Sequence, residues 1–358
     1  MDLSTTIGEL KLKNPLMPAS GPLVSDDNKI NILASFGLGA MVTKTIGIKG
    51  AMVPKPCIYG GNNKVLNLNL WSEYPHEKWT EDFLPNIKSF LKEPLIISIG
   101  YNKEDIIVLI SKLDKYADGF EISLDYNIDL KEVGDIVKLA RKTTTKPIFI
   151  KINNYIRNLL EFIKIIKING ANGIVAVHSL GPAMVIDLNE RAVKFGNEKG
   201  ESYVSGPIVK PFALATINLI RGNFKDFTII GSGGVSSAED VIEFLLCGAD
   251  AVQMSSSAMI HGRELYKEIL KELPTTLEKY GFSSIEEVKN TRLKKGVKFA
   301  SSYPMVNNNK CISCKICEKV CPCFAITINK YPIFNKSLCF SCGLCESRCP
   351  QKAITGVI

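Results

Sequence analysis

With 358 residues, 46% of them apolar, and a net charge of +8 spread through mixed-sign segments, the chain is large enough for one sizeable core and a small second domain. No apolar stretch is long enough to span a membrane, and the basic residues lack the clustering and interleaved aromatics of a nucleic-acid binder. Met1–Pro15 is mixed and polar rather than the apolar run of a signal peptide, so free thiols point to a reducing interior and a cytoplasmic protein.

The run Ile7–Leu12 reads as a hairpin ahead of the first barrel strand, placed to plug the barrel bottom. Eight short apolar runs follow: Leu16–Ala19, Ala40–Thr43, Leu95–Gly100, Gly119–Leu124, Pro147–Ile152, Gly173–His178, Thr228–Gly231 and Ala251–Met254. They show little alternation, as expected of strands buried on both faces. Helical patterns lie between them, for example Asn158–Asn169 and Ala238–Cys247, the second opening on a Ser-Ser-Ala-Glu-Asp start signal. Eight such units predict an α/β fold, a (β/α)8 TIM barrel over residues 1–300, closed by helical sequence from Gly262 to about Val297. Ser301–Asn309 reads as a polar linker into a small ferredoxin-like domain over 301–358. The stretch Gly181–Tyr203 reads as a pocket lid or a polar surface loop.

In such a barrel the chemistry sits at the carboxyl ends of the strands. The residues there are Ala19-Ser20-Gly21, Thr43-Lys44-Thr45, Glu121 to Tyr126, Lys151, His178-Ser179, Ser232-Gly233-Gly234 and Ser255-Ser256. Glycines and serines after the last two strands, with a capped helix behind Gly234, suit a phosphate group. Lys44 and Lys151 would balance a phosphate or a reduced flavin; the alternative for Lys151 is an ion pair with Glu121.

The C-terminal stretch carries the most specific signal. Cys311, Cys314, Cys317 and Cys321 are spaced C-x2-C-x2-C-x3-C before Pro322, and Cys339, Cys342, Cys345 and Cys349 repeat the pattern before Pro350. That spacing holds two [4Fe-4S] clusters, each taking its fourth cysteine from the other run: Cys311, Cys314, Cys317 and Cys349 for one, Cys339, Cys342, Cys345 and Cys321 for the other. Zinc sites have no use for a third closely spaced cysteine before Cys-Pro, and disulfides would need a secreted chain. Cys57, Cys247 and Cys323 are left unpaired, Cys247 as a small core residue.

At these residues the chain resembles the dihydroorotate dehydrogenase family, and within it the FMN- and iron–sulfur-containing part of dihydropyrimidine dehydrogenase, in bacteria a separate subunit. The motifs are Asn14–Gly21, Thr43–Thr45, Leu66–Glu73, Ser205–Pro211 and Gly231–Val235, and the likeness spans nearly the whole chain. It implies FMN across the barrel mouth, with Ala19, Ser20, Lys44, Thr45 and Asn67 beside it. Lys151 would stabilise the reduced flavin, and Gly206, Ser232, Gly233, Gly234, Ser255 and Ser256 would hold the phosphate end. It also implies dimers, as the family often forms.

The substrate side departs from the family. Asn67 is kept, but the other pyrimidine-reading positions hold Asn69, Ser123, His178 and Ser179, and Trp71 adds an aromatic face. The usual Cys or Ser base is absent, leaving His178, Tyr126 and Asp125 as candidates for proton delivery. Losing amides that pair with a ring argues against orotate and weakens uracil. Three readings follow: a reductase or dehydrogenase of another cyclic C=C or C–C bond, a non-catalytic electron-transfer subunit, or a pyrimidine dehydrogenase with substituted residues. No Gly-x-Gly-x-x-Gly follows a strand, so a flavoprotein subunit that oxidises NAD(P)H, or a ferredoxin, would be the electron partner.

Overall fold

The computed structural model describes residues 1–124, 129–153, 156–291, 293 and 302–358, and divides into two compact units, Met1–Leu293 and Lys294–Ile358. In the first, eight parallel strands share one sheet: Leu16–Pro18, Met41–Val42, Leu95–Tyr101, Gly119–Leu124, Ile148–Ile152, Gly173–Ala176, Thr228–Ser232 and Ala251–Met254. From the second strand to the eighth, each pairs with the next in chain order. The eighth then returns to the first, setting Val252 opposite Leu16 and Met254 opposite Pro18. The seam between the first two strands is bridged by the Gly39 N–H, which donates to the Leu16 carbonyl at 2.9 Å. Glycine is required there, because a Cβ on residue 39 would stand 1.9 Å from the Asn14 carbonyl oxygen.

The fourth, fifth, sixth and eighth strands are buried along their whole length, which is why their sequences run apolar without alternation. Met17, Val42, Ile96, Phe149, Val175 and Ile230 form the inner core. Ile7 and Leu12, from the hairpin Thr5–Ile7 and Leu10–Leu12, join that core. The Gly8 N–H reaches the Thr228 hydroxyl at the start of the seventh strand, so the hairpin covers the amino ends and leaves the carboxyl ends open. Outside the sheet lie amphipathic helices with capped starts. Asp129 accepts the Glu132 N–H ahead of Leu130–Thr143, and Ser237 accepts the Asp240 N–H ahead of Ala238–Leu246. Leu265–Lys279 and Ile285–Asn290 complete this layer.

The segment Gly181–Tyr203 is β structure rather than a polar loop. Leu180–Ala183 and Ser202–Ser205 join Val65–Asn67 and Ile58–Gly60 in an antiparallel sheet, and Val185–Asp187 pairs with Ala192–Phe195. Its small core of Leu66, Leu68 and Phe195 escapes a composition reading because the apolar residues come from two distant parts of the chain.

The second unit is an internal repeat with an offset of 28 residues. Asn307 N–H bonds to Ala353 O at 2.7 Å, as Asn335 N–H does to Ala325 O at 2.8 Å. Met305–Val306 pairs with Ile354–Thr355, and Ile326–Asn329 with Tyr331–Phe334, so each half lends a strand to the other. The linker expected over Ser301–Asn309 is therefore, from Met305 onward, part of the folded unit. Its polarity comes from the turn at Asn307–Lys310, where the Asn307 side chain accepts the Asn309 N–H.

Candidate functional site

The carboxyl ends of the strands open on a cavity of about 360 Å³. Ala19, Ser20, Lys44, Thr45, Asn67, Asn69, Trp71, Lys151, His178, Ser179, Gly206, Ser232, Gly233, Gly234, Ser255 and Ser256 all line it. Ser123 does not: it is buried in the wall between Gly100 and Lys151, and Leu124 reaches the cavity from that strand end instead. Asp125 and Tyr126 lie outside the described residues.

Beneath the cavity runs a continuous polar chain. Glu121 is fully buried, a position a carboxylate holds only with partners. Its partners are Lys151 Nζ at 3.0 Å, Gln253 Nε2 at 2.8 Å and Ser98 Oγ at 3.3 Å. Ser98 Oγ lies 3.0 Å from Thr45 Oγ1, which lies 3.0 Å from Ser20 Oγ. Tyr101 also hydrogen-bonds the Thr45 side chain. Lys151 thus makes the ion pair with Glu121 and lines the cavity as well, so the two readings of it are compatible.

Lys44 differs from Lys151. It is buried, and among the described residues its Nζ has no hydrogen-bond or ion-pair partner. Burial pushes its pKa down to about 8; Cys57 and Glu73 pull it up and Lys151 pushes it further down. Ser255 Oγ, in the opening formed after the eighth strand, is also buried without a partner. An unmatched cation and an unmatched hydroxyl in one cavity are the donor set an anionic, oxygen-rich group would complete. The backbone fits such a group too. Gly206, Gly233 and Gly234 hold φ of 98°, 101° and 101°, and a Cβ at Gly234 would come 2.7 Å from the Lys210 N. Ser205 Oγ meets Ser256 Oγ at 2.8 Å, tying the mouth sheet to the eighth strand end.

The opposite wall is aromatic and weakly polar. Trp71 packs edge-on to Tyr101 with ring centroids 5.6 Å apart and donates its Nε1–H to the Lys49 carbonyl. The Asn67 amide donates to the Tyr203 carbonyl at 3.2 Å, so part of its recognition capacity is already used. Burial, with Lys151 and Lys44 nearby, pushes His178 down to about 3, and the imidazole is neutral. Its Nδ1 lies 3.0 Å from Ser179 Oγ. Burial raises Tyr101 to about 12, so the phenol keeps its proton. Tyr101 and Gln253 are absent from the sequence reading. Gln253 carried a signal, as the lone polar residue in Ala-Val-Gln-Met; Tyr101 carried none, since the third strand runs one residue past its expected end.

In the second unit the cysteines gather into two small cavities. Cys311, Cys314, Cys317 and Cys349 line one; Cys321, Cys339, Cys342 and Cys345 line the other, with Cys323. Backbone N–H groups of Ala325, Ser341 and Ala353 donate to the sulfurs of Cys321, Cys339 and Cys349 at 3.2–3.4 Å, as backbone N–H groups do around the sulfurs of iron–sulfur clusters. Among the described residues no three His, Cys, Asp or Glu side chains gather tightly enough for a single metal ion.

A family model described as dihydroorotate dehydrogenase matches residues 2–277. The chain belongs to the dihydroorotate dehydrogenase family. Its members are flavin-dependent oxidoreductases acting on CH–CH bonds, and this chain is such an enzyme. A second model, a 4Fe-4S dicluster domain, matches residues 291–354 and marks the C-terminal unit as an iron–sulfur carrier. The catalytic subunit of dihydroorotate dehydrogenase B (NAD(+)) from Thermoplasma volcanium is 30% identical over 307 residues, covering 82% of this chain and 99% of that protein. The Archaeoglobus fulgidus subunit of the same name is 32% identical over 288 residues, covering 76% of this chain and 92% of its own length. The Thermoplasma subunit is thus nearly used up within four fifths of this chain, so the match leaves a stretch about as long as the cluster unit unaccounted for. No helix among the described residues is long and apolar enough to cross a membrane.

Proposed function

We propose that this family member binds FMN in the barrel cavity and reduces or oxidises a C=C or C–C bond of a small cyclic, pyrimidine-like or otherwise unsaturated substrate. Electrons pass through two [4Fe-4S] clusters to or from a partner. The observation that carries this reading is the pairing, in one chain, of a cavity holding an unmatched lysine with two cavities that each gather four of the regularly spaced cysteines. Bound FMN supplies hydride exchange with the substrate and single-electron exchange with the clusters.

The chain's own residues set the conditions. Lys44 offers a positive charge to an anionic group in the cavity, and Lys151, held by Glu121 and Gln253, offers a second at a fixed position. Gly206, Gly233, Gly234, Ser232, Ser255 and Ser256 let backbone and hydroxyl donors approach a phosphate. His178, neutral, donates a hydrogen bond to a substrate carbonyl without adding charge, and Ser179 orients the ring. Tyr101 holds its proton within the same cavity, ready for the carbon next to the one that exchanges hydride. Trp71 and Tyr101 favour a planar ring. The relatives' printed names, catalytic subunits that use NAD(+), support a separate partner subunit and a pyrimidine-related substrate. The cysteines, all free, and oxygen-sensitive clusters support a cytoplasmic enzyme.

One observation favours a second reading, the non-catalytic electron-transfer subunit: Asn67 is engaged with Tyr203 and Ser123 is withdrawn from the cavity, so little remains to read a pyrimidine. Anaerobic flavin reoxidation separates the two. The protein is reduced, freed of reductant and mixed with uracil, thymine, orotate, cyclic enones or unsaturated lactams. Fast reoxidation by one compound establishes the enzyme and its substrate class. No reoxidation by any of them, with flavin and clusters present and reducible, favours the electron-transfer subunit and sends the search to its partner.

A further inference from the structure

The two halves of the C-terminal unit superpose in pattern but not in surface chemistry. At an offset of 28 residues, Lys310 answers to Leu338, Lys315 to Gly343 and Lys352 to Phe324. The backbone is matched at each pair. Lys310 and Leu338 bond to the carbonyls of Asn307 and Asn335, and Lys352 and Phe324 to those of Cys349 and Cys321. Lys315 and Gly343 share a left-handed conformation, φ 63° and 78°. A lysine at a position that favours glycine is retained at a conformational cost. All three lysines are exposed: Lys315 lines the cavity of Cys311, Cys314, Cys317 and Cys349 beside the exposed Cys314, Lys310 directly precedes Cys311, and Lys352 follows Cys349 by three residues. Among the described residues no charged side chain lines the other cavity, where the exposed Phe340 stands; the exposed Leu338 directly precedes Cys339 and the exposed Phe324 follows Cys321 by three residues, with Lys336 the nearest lysine before Cys339 in the chain. Each half has one glutamate, Glu318 or Glu346, at equivalent positions, Glu318 accepting the Ile328 N–H and Glu346 those of Val357 and Ile358, so the carboxylates balance in the comparison.

We infer that the lysine-rimmed cluster, the one held by Cys311, Cys314, Cys317 and Cys349, is the port at which an acidic electron-carrier protein docks. This rests on the reading that electrons pass through the clusters. A positive rim at an exposed redox centre steers an oppositely charged carrier and orients it for transfer without a large interface, the regime of transient redox encounters. The apolar rim offers no such field, so the two clusters are not equivalent doors.

The test uses full-length protein loaded with flavin and clusters, and as probe a purified acidic two-cluster bacterial ferredoxin in its reduced form. Stopped-flow absorbance follows the second-order rate of cluster reduction at low and high salt. The wild-type rate falls with rising salt. The triple variant K310Q/K315Q/K352Q is slowed tenfold or more at low salt and converges with wild type at 0.5 M salt (roughly a 4 Å screening length). The variant K131Q/K138Q/K271Q, which removes the same charge from exposed barrel lysines, changes the rate less than threefold. Iron content, the EPR spectrum and reduction by photoreduced deazaflavin report that the rim variant is intact. Equal slowing by both triples, or a rate indifferent to salt, overturns the port while leaving the clusters in place. A wild-type protein that reconstitutes no clusters overturns the port together with the reading beneath it.

Discussion

Lys44 gives the sharpest quantitative test of the barrel cavity, because it is a buried cation with no partner among the described residues. Replacing it with methionine keeps the shape and removes the charge. Burial lowers its pKa from 10.5 to about 8, and that gap corresponds to about 3 kcal/mol lost from the folded, flavin-free protein at pH 7. The sign follows from proton counting. Between pH 8 and 10.5 the unfolded chain binds the proton that the folded chain has given up. The penalty is therefore full below pH 8 and disappears as the pH rises through 10.5. Lys44→Met should stabilise the flavin-free barrel by about 2–3 kcal/mol at pH 7 and by less than half of that at about pH 9.5. Urea unfolding followed by tryptophan fluorescence reads the barrel alone, since both tryptophans, Trp71 and Trp79, lie in it and Trp79 is fully buried. With FMN the gain should shrink: the variant binds it at least tenfold more weakly, which offsets about 1.4 kcal/mol at saturating flavin, because the cation that costs stability when empty is matched when filled. A flavin-free variant no more stable than wild type at pH 7, or a gain that does not shrink toward pH 9.5, would refute the account of Lys44 as an unmatched charge.

Three further outcomes are expected. Glu121→Ala strands Lys151 in the barrel interior and should cost about 3–5 kcal/mol in the same urea assay; a cost below about 1 kcal/mol would mean the buried pair is not an anchor. His178 has its pKa lowered to about 3, so its contribution to stability is present above pH 6.5 and lost as the pH falls toward 3. Wild type should lose up to about 1 kcal/mol relative to His178→Asn between pH 7 and 5.5, and turnover should show no inflection in that window that the variant abolishes. Cys349→Ser should halve the iron content and leave the residual EPR spectrum of Cys314→Ser, the loss of the first run's cluster; a residual spectrum like that of Cys342→Ser would contradict the crossed assignment of the fourth ligands.

The barrel was legible from the chain because its strands are buried on both faces, and double burial leaves a run such as Gly119–Leu124 with nothing but its apolar continuity. The cysteine grouping was legible for a different reason: short fixed spacing constrains a turn strongly, and the internal repeat brings Cys349 to the cavity of the first run and Cys321 to that of the second. The mouth sheet was not legible. Its strands pair Leu180–Ala183 and Ser202–Ser205 with Val65–Asn67, more than a hundred residues earlier, and no local pattern records a non-local pairing. Ser123 was misplaced for a related reason. A motif gives the residue but not the depth at which its strand ends, and here the strand presents Leu124 to the cavity.

The same limit hides Tyr101, whose strand ends one residue later than its apolar run. A sequence comparison reads the substrate wall by what it has lost, the amides that pair with a pyrimidine ring. The structure adds what stands there now: a phenol that keeps its proton, an indole edge against it, and an imidazole that burial keeps neutral. Three neutral, weakly polar groups replace strong donors and acceptors. Strong buried donors reject a ligand that fails to match them, at a cost of several kcal/mol, whereas neutral aromatic walls reject by shape. The charged groups of the cavity, Lys44 and Lys151, are also the ones assigned to the flavin. Selectivity on this wall would then come from ring planarity and size, with a single carbonyl fixed by His178.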